Sequence, residues 1–202
     1  MKPAPEYQII RPGLAFWQAY DPAVKTELCC CAFDVPEGLV FCDPVALAPA
    51  ALEELLGGQT PGAILLTNAN HERNAVPLAR QLGVEIWAHS GARGHVAATR
   101  WFEDGEILFG GVEAVALDGF AAGESAFWLE GLLLVGDALI NAEPYGFSML
   151  PDKYCEDPKS ARQALKKLLR FPAEMLVFAH GLPIVSQAAE RLAGLVGGVI
   201  GE

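Results

Sequence analysis

The sequence predicts a mixed α/β (α+β) protein built as a four-layer αββα sandwich, with two sheets packed face to face and helices outside. The chain has 202 residues, which suits a single domain spanning 1–202 with a substantial core. Hydrophobic residues make up 52% and charged residues 19% of the chain, a composition typical of globular proteins. Two sets of strand patterns are each followed by helix patterns, and this order fits two sheets covered by helices. Periodicity alone does not distinguish this arrangement from other layered α/β folds.

The first half of the chain alternates strand and helix patterns. Apolar runs bounded by turn residues predict strands at 14–20, 28–34, 38–42, 63–67 and 84–89. Pro49 begins a short predicted helix that ends at Gly57. A polar loop at 68–74 precedes a second predicted helix, which ends before Gly83.

The second half begins with hairpin-like strands and ends with helices. Strands are predicted at 107–109, 112–117, 126–130, 132–135 and 175–178. Asp157 and Pro158 supply a cap and a first helical residue, so a long helix is predicted over 157–169. Ser186 is the predicted cap of a last helix that ends near residue 195, and segment 141–154 is predicted to be a loop over a cleft.

Charge and apolar patterning exclude several classes of partner. The net charge of -11 disfavours binding to nucleic acid or to anionic membranes, because phosphate contacts need clustered Lys and Arg. The longest apolar runs are too short to span a bilayer, and the N-terminal residues lack the apolar region of a secretory signal. We therefore expect a cytoplasmic protein whose partner is a small molecule or another protein, and a homodimer stays open.

The five cysteines do not predict a metal site or a disulfide framework. Their number is odd, and no CxxC pair occurs. Three of them are consecutive at 29–31 in a predicted strand, where neighbouring side chains point to opposite faces and cannot reach one ion. We interpret them as small buried core residues with reduced thiols.

Four motifs place polar residues directly after predicted strands, and a fifth, weaker one lies between them. They are LVFCDP at 39–44, ILLTNANHER at 64–73, LLLVGDAL at 132–139 and LVFAHG at 176–181, with DGFAAGES at 118–125 as the weaker one. In order and spacing the five resemble the metallo-β-lactamase superfamily over about residues 10–200. The resemblance implies the αββα fold and a hydrolytic site in which two zinc or iron ions activate a bridging water.

The resemblance also implies that the first metal position is lost. Three family histidines hold that ion, and the matching positions here are Asn68, Asn70 and Phe120. A neutral amide is a poor ligand for zinc and a phenyl ring offers no ligand atom. We therefore expect no ion at this position.

The second metal position is partly retained. Its matching residues are Glu72, Arg73, Asp137 and His180. Arg73 is the departure, because a guanidinium stays protonated and has no lone pair to give a metal. We hypothesise that Arg73 substitutes for the charge of the ion and pairs with Asp137 or Glu72.

Two further residues, His71 and Asp43, match positions of the family motifs that are not metal ligands. His71 falls between ligand positions and is expected at the surface or behind the ligands; the alternative is that its side chain turns into the cleft and joins Glu72, Asp137 and His180. Asp43 is expected to shape its loop by accepting hydrogen bonds from backbone amides, as its family counterpart does.

The degenerate motif favours a binding or scaffold protein that lacks binuclear-zinc hydrolase activity and needs no cofactor. The alternative is a hydrolase of esters, thioesters or lactones that uses one Zn, Mn or Fe ion at Glu72, Asp137 and His180. A third option is metal-free acid–base catalysis by the same residues. Asp137 and His180 are the candidate catalytic residues in either enzyme, while the absence of GxSxG and of a dinucleotide-binding glycine motif disfavours other classes.

Overall fold

The computed structural model describes residues 1–200, and side chains through Gly198. Its first sheet has seven strands in sequential order. They are β1 (Gln8–Arg11), β2 (Leu14–Asp21), β3 (Thr26–Val35), β4 (Gly38–Cys42), β5 (Pro61–Leu65), β6 (Glu85–His89) and β7 (Arg100–Phe102). The strands from β1 to β4 are antiparallel, and those from β4 to β7 are parallel. The parallel half therefore presents the carboxyl ends of its strands at one edge.

The second sheet has five strands in the order β14-β11-β10-β9-β8. They are β8 (Ile107–Leu108), β9 (Val112–Ala116), β10 (Ser125–Leu129), β11 (Leu132–Val135) and β14 (Met175–Phe178). A separate hairpin, β12 (Leu139–Ala142) and β13 (Gly146–Met149), follows β11. Strands β11 and β14 are parallel neighbours, so the residues that follow them lie side by side.

Three apolar clusters confirm the four-layer sandwich. One contains residues from the facing sides of both sheets, such as Phe33, Val40 and Phe127. A second joins the first sheet to α1 (Pro49–Leu56) and α2 (Ala75–Leu82). The third joins the second sheet to α3 (Pro158–Ala164) and α4 (Ala188–Ile200). Each sheet thus buries one face against the other sheet and one against helices.

Strong apolar patterns are predicted well, and short or polar elements are missed. Strands β4, β11 and β14 have the predicted bounds. Strands β1 and β7 have only four and three residues, which is too short for an apolar alternation to mark them. The hairpin β12–β13 lies where a loop was predicted; its two strands pair with each other, and Asn141 forms one further bridge to Gly181.

The predicted helix over 157–169 is confirmed at its start and altered at its end. Asp157 accepts hydrogen bonds from the backbone N–H groups of Lys159 and Ser160, as a cap does. The chain tightens into a 3-10 helix at Leu165–Arg170. Leu165 and Leu168 are both fully buried, and three-residue spacing places them on the same face of a 3-10 helix.

The predicted burial of the three consecutive cysteines is also confirmed. Cys30 packs toward the helices of the first sheet, whereas Cys29 and Cys31 pack between the sheets. All five cysteines are free thiols.

None of the helices within residues 1–200 has the length and hydrophobicity required to cross a bilayer.

Candidate functional site

The candidate site lies where the carboxyl ends of four strands meet. Asp43 directly follows β4, and Thr67 lies two residues after β5. Asp137 and His180 each lie two residues after a parallel neighbour of the second sheet, β11 and β14 respectively. Because the two sheets pack face to face, these residues meet at one edge of the sandwich. The side chains come from segments far apart in the sequence, and the fold brings them together.

Two histidines and one aspartate form the centre of the site. Nε2 of His71 and Nε2 of His180 each lie 3.3 Å from the same atom, Oδ1 of Asp137. One ligand atom from each of the three residues lies within 4.8 Å of the other two. The side chain of His71 is buried, and those of Asp137 and His180 are 14% and 19% exposed. This His71–Asp137–His180 cluster is therefore sheltered but open on one side.

The far side of each imidazole is fixed by an acceptor. Nδ1 of His180 lies 3.1 Å from the backbone carbonyl oxygen of Glu27. A carbonyl can only accept, so this nitrogen carries the hydrogen and Nε2 of the neutral ring has the lone pair. Nδ1 of His71 lies 2.9 Å from Oδ2 of Asp43, which holds the ring in the same way. In both rings Nε2 is consequently the atom that faces Asp137.

Asp43 is itself held by Thr67. The Thr67 backbone N–H donates to Oδ1 of Asp43 at 2.8 Å, and the Thr67 hydroxyl donates to Oδ2 at 2.5 Å. Asp43 is 2% exposed and adopts a left-handed φ of 49°, a conformation that costs a non-glycine residue energy. The carboxylate therefore accepts from a backbone amide, and it also orients His71.

Electrostatics make His71 a cation when no metal is bound. Burial acts to lower the pKa of His71, but the carboxylates of Asp137 and Asp43 outweigh burial and the charge of Arg73 and raise it to about 9. Burial alone would raise the pKa of Asp137, yet His71 and His180 hold it well below its usual value. The pKa of Asp43 is lowered in the same manner, chiefly by His71 against the effect of burial. An imidazolium thus lies between two carboxylates at neutral pH.

His71 occupies the place that the alignment gave to its neighbours. It was expected at the surface or behind the ligands, but it is 3% exposed and contributes a ligand atom to the cluster. Glu72 was expected in the cluster, but its Oε2 accepts a hydrogen bond from the backbone N–H of Ala97 at 2.5 Å. The loop turns residue 71 toward Asp137 and residue 72 away from it, so a ligand set of Glu72, Asp137 and His180 is not assembled.

Arg73 pairs with backbone carbonyls and not with the carboxylates of Asp137 or Glu72. Its Nη1 donates to the carbonyl oxygens of Cys29 at 2.7 Å and Asp43 at 3.0 Å. Its Nη2 donates to the carbonyl oxygen of Ala179 at 3.3 Å. Cys29 and Asp43 belong to the first sheet and its following loop, whereas Ala179 follows the second sheet. The hypothesised pairing is therefore wrong, and the guanidinium instead joins the two sheets beside His180.

The residues that match the first metal position form no ligand set. Asn68 is buried and its side-chain amide Nδ2 donates to Oε2 of Glu124 at 2.6 Å and to Oδ2 of Asp137 at 3.1 Å. Asn70 is exposed, and Phe120 is 1% exposed in the core between the second sheet and its helices. Sequence reasoning missed Glu124, because it lies in the weakest of the five motifs, at 118–125, and the resemblance assigned no role to its carboxyl group.

Glu124 is a second unusual ionisable group in this region. Burial, together with the charge of Asp137, raises the pKa of its carboxyl group to about 8, against the opposing effects of His71 and of hydrogen bonds from Ala138 and Asn68. Oε1 of Glu124 accepts the Ala138 backbone N–H at 2.9 Å. The carboxyl group is thus fully buried beside the His71–Asp137–His180 cluster.

The cluster opens into a cleft of about 520 Å³. One wall is aliphatic and includes Val24, Leu28 and Ala46. The polar part of the lining includes Asn70, Arg73 and the His71–Asp137–His180 cluster. A volume of this size suits a small organic molecule that places one polar group at the cluster and apolar atoms along the wall.

Comparison with known proteins gives one family and many related structures. A family model described as metallo-beta-lactamase superfamily matches residues 7–199. Among curated protein sequences, none matches the chain. In all, 231 chains of solved structures match.

Three of the similar structures illustrate the range. DIM-1 metallo-beta-lactamase has a TM-score of 0.75 at 12% identity, with 96% of this chain and 99% of that chain covered. A metallo-beta-lactamase from Pontibacter korlensis has a TM-score of 0.72 at 17% identity, with 95% and 98% covered. TTHA1623 in a di-iron-bound form has a TM-score of 0.64 at 26% identity, with 87% and 96% covered.

Proposed function

Because the chain belongs to the metallo-beta-lactamase superfamily, we propose that it is a single-metal member that binds one divalent transition-metal ion at His71, Asp137 and His180. Its reaction is the hydrolysis of a small ester, thioester or lactone in the adjoining cleft. The binuclear site of the family does not fit this chain, because the first position offers Asn68 and Phe120 where imidazoles are needed.

One observation carries the proposal: Nε2 of both histidines faces the same carboxylate oxygen of Asp137 at 3.3 Å. The Nδ1 atom of each ring is engaged by a fixed acceptor, Asp43 or the carbonyl of Glu27. Metal-binding histidines are usually oriented in this way by a carboxylate or a carbonyl behind the ring. Three protein ligands with an open side is also the arrangement of catalytic zinc sites.

Two imidazoles and one carboxylate suit zinc, manganese and iron(II). One such ion supplies a water of lowered pKa as nucleophile. The chain's own residues set the conditions for that chemistry. His71, whose pKa is about 9 without metal, must lose a proton before its Nε2 can act as a ligand. The aliphatic wall at Val24, Leu28 and Ala46 favours an apolar acyl group over a highly charged one.

A metal-free binding protein is the second candidate, and a specific observation favours it. Protonated His71 between Asp43 and Asp137 balances much of the buried negative charge without any ion. Arg73 also joins the two sheets through carbonyl contacts that need no metal. In this case the cleft binds a ligand without turning it over.

Metal content distinguishes the two candidates. The protein is purified without a His-tag, loaded separately with zinc, manganese and iron(II), freed of excess ion and analysed by ICP-MS. We expect about one equivalent in the wild type, and its loss in H180A and D137N. H95A is the matched control, because His95 is exposed and does not belong to the cluster, and this variant should keep the ion. Less than about a tenth of an equivalent after loading would refute the single-metal site and favour the metal-free protein.

Activity is tested on the loaded protein with a panel of short-chain esters, thioesters and lactones. The expected result is turnover that H180A and D137N abolish and H95A retains. Stable metal binding without turnover of any member would leave the ion in place but reject the hydrolase.

A further inference from the structure

Asn68 is a buried amide whose polar atoms are all engaged. Its Nδ2 has two hydrogens and two carboxylate partners, Oε2 of Glu124 at 2.6 Å and Oδ2 of Asp137 at 3.1 Å. Its Oδ1 accepts the backbone N–H of Asn70 at 2.8 Å. The Asn70 contact fixes which end of the amide faces the carboxylates, because Nδ2 in that place would oppose another donor. The two N–H groups therefore point into the space between Glu124 and Asp137.

Asp137 divides its two oxygens between two environments. Oδ1 faces the histidines of the His71–Asp137–His180 cluster, and Oδ2 faces the Asn68 amide. Glu124 completes the second environment, and its other oxygen accepts the Ala138 N–H. Without Asn68, a carboxylate oxygen of Asp137 and one of Glu124 would face each other across a buried space. Such a pair needs a proton, a donor or a cation between its members.

The backbone at Gly136 is packed closely against the residues around the Asn68 amide. A Cβ atom added at Gly136 would lie 2.5 Å from the Thr67 hydroxyl and 2.7 Å from Oε1 of Glu124. The backbone before Asp137 is therefore packed directly against the residues that hold this bridge. Thr67 in turn is bonded to Asp43 behind His71.

We propose that Asn68 is a positioning residue that closes the space between Glu124 and Asp137 to a second cation and so limits the site to one ion. The amide supplies the two hydrogens that the carboxylates require, and it presents donors where a metal would need lone pairs. It also keeps Oδ2 of Asp137 occupied, so that Asp137 offers Oδ1 alone to the histidine side. The inference rests on the proposed single-metal function for the identity of the first ion.

The test replaces the donor amide by an acceptor of the same shape. In N68D, three carboxyl groups surround the space that Asn68 closes, and the amide that donated to two of them is gone. We expect the number of zinc or manganese ions bound per chain to rise by one relative to the wild type, measured by ICP-MS and by isothermal titration calorimetry. Q81E is the matched control, because it makes the same change from amide to carboxylate at an exposed residue of α2 that does not line the cleft. Its count should equal that of the wild type.

Two further variants separate the bridge from other causes. In N68D/E124A the added carboxylate remains but its partner is removed, so the extra ion should be lost. N68L removes the donors without adding a ligand, so its ion count should stay that of the wild type while its affinity for the first ion falls. If N68D folds poorly on its own, it is refolded with manganese present, and the count is taken after gel filtration in metal-free buffer.

The quantity measured is the difference between N68D and the wild type, so it can be interpreted whether the wild type binds one ion or none. An unchanged count in N68D, or an equal gain in Q81E, overturns the role of Asn68. An ion-free wild type refutes the single-metal function separately, and a gain of one ion in N68D against that background still supports the closure by Asn68.

Discussion

Replacing Arg73 with methionine removes the hydrogen bonds through which one side chain joins the two sheets. Three contacts are lost, to the carbonyl oxygens of Cys29, Asp43 and Ala179, over distances of 2.7 to 3.3 Å. A hydrogen bond from a charged donor contributes about 1.5–3 kcal/mol when buried. Arg73 is half-buried, so water can satisfy part of the loss, and about 1 kcal/mol per contact is the appropriate figure. We expect R73M to lower the free energy of unfolding by about 3 kcal/mol.

Urea unfolding at pH 7 in the presence of EDTA measures this effect apart from any bound metal. R73K should recover about a third of the loss, because an ammonium group can keep one of the three contacts but lacks the guanidinium fork. R100M is the matched control: Arg100 pairs with Glu85 in an exposed ion pair, so the same substitution there should cost less than about 1 kcal/mol. A loss below about 1 kcal/mol in R73M would show that the carbonyl contacts do not hold the sheets together.

The other predictions concern protons and the acceptor behind His71. Because His71 has a folded-state pKa of about 9, binding of one zinc ion at pH 7 should release about one proton. Calorimetry in buffers of different ionisation enthalpy measures this release. If no proton is released, His71 is not a ligand. The metal-free protein should lose about 3 kcal/mol more stability than H71Q between pH 6 and pH 10, because a histidine whose pKa rises from 6.5 to about 9 on folding stabilises fully below pH 6.5 and not above pH 9. Unfolding curves of both proteins across this range give the difference, and an equal pH dependence would contradict a charged His71. D43N should weaken zinc affinity about 10- to 100-fold, because it removes the carboxylate that orients His71. Competition with a chromophoric chelator measures the affinity, and an unchanged value would exclude this role of Asp43.

Three strands show what the local apolar pattern can predict. Strands β4, β11 and β14 are dense apolar runs with turn residues at their ends, and their bounds follow from the sequence. Because the ends of β4, β11 and β14 are predicted, the polar residues that follow them, including Asp137 and His180, are also predicted to lie at strand ends. By contrast β7 has three residues and is recognised only through its pairing with β6.

Which residues form the site depends on a loop. In a loop the side chains do not point in regularly repeating directions, as they do in a strand or a helix. The sequence alone predicts that the segment 68–74 contributes to the site, but its backbone decides that His71 faces Asp137 and that Glu72 faces Ala97. Arg73 adopts a left-handed φ of 40°, which the three carbonyl contacts stabilise against its local cost. Those carbonyls come from distant segments, so a sequence reading could not anticipate them.

The sequence by itself determined the order of strands and helices and the strand-end positions of Asp137 and His180, because apolar periodicity is a local property. The αββα sandwich and the replacement of imidazoles at Asn68 and Phe120 followed from the resemblance of its motifs to the metallo-β-lactamase superfamily. Only the tertiary structure decided that His71 joins the two other residues, that Arg73 bridges carbonyls, and that Glu124 lies beside Asn68. Hydrogen bonds between remote segments set each of these arrangements, because a loop side chain takes its direction from the partners that the fold brings within reach.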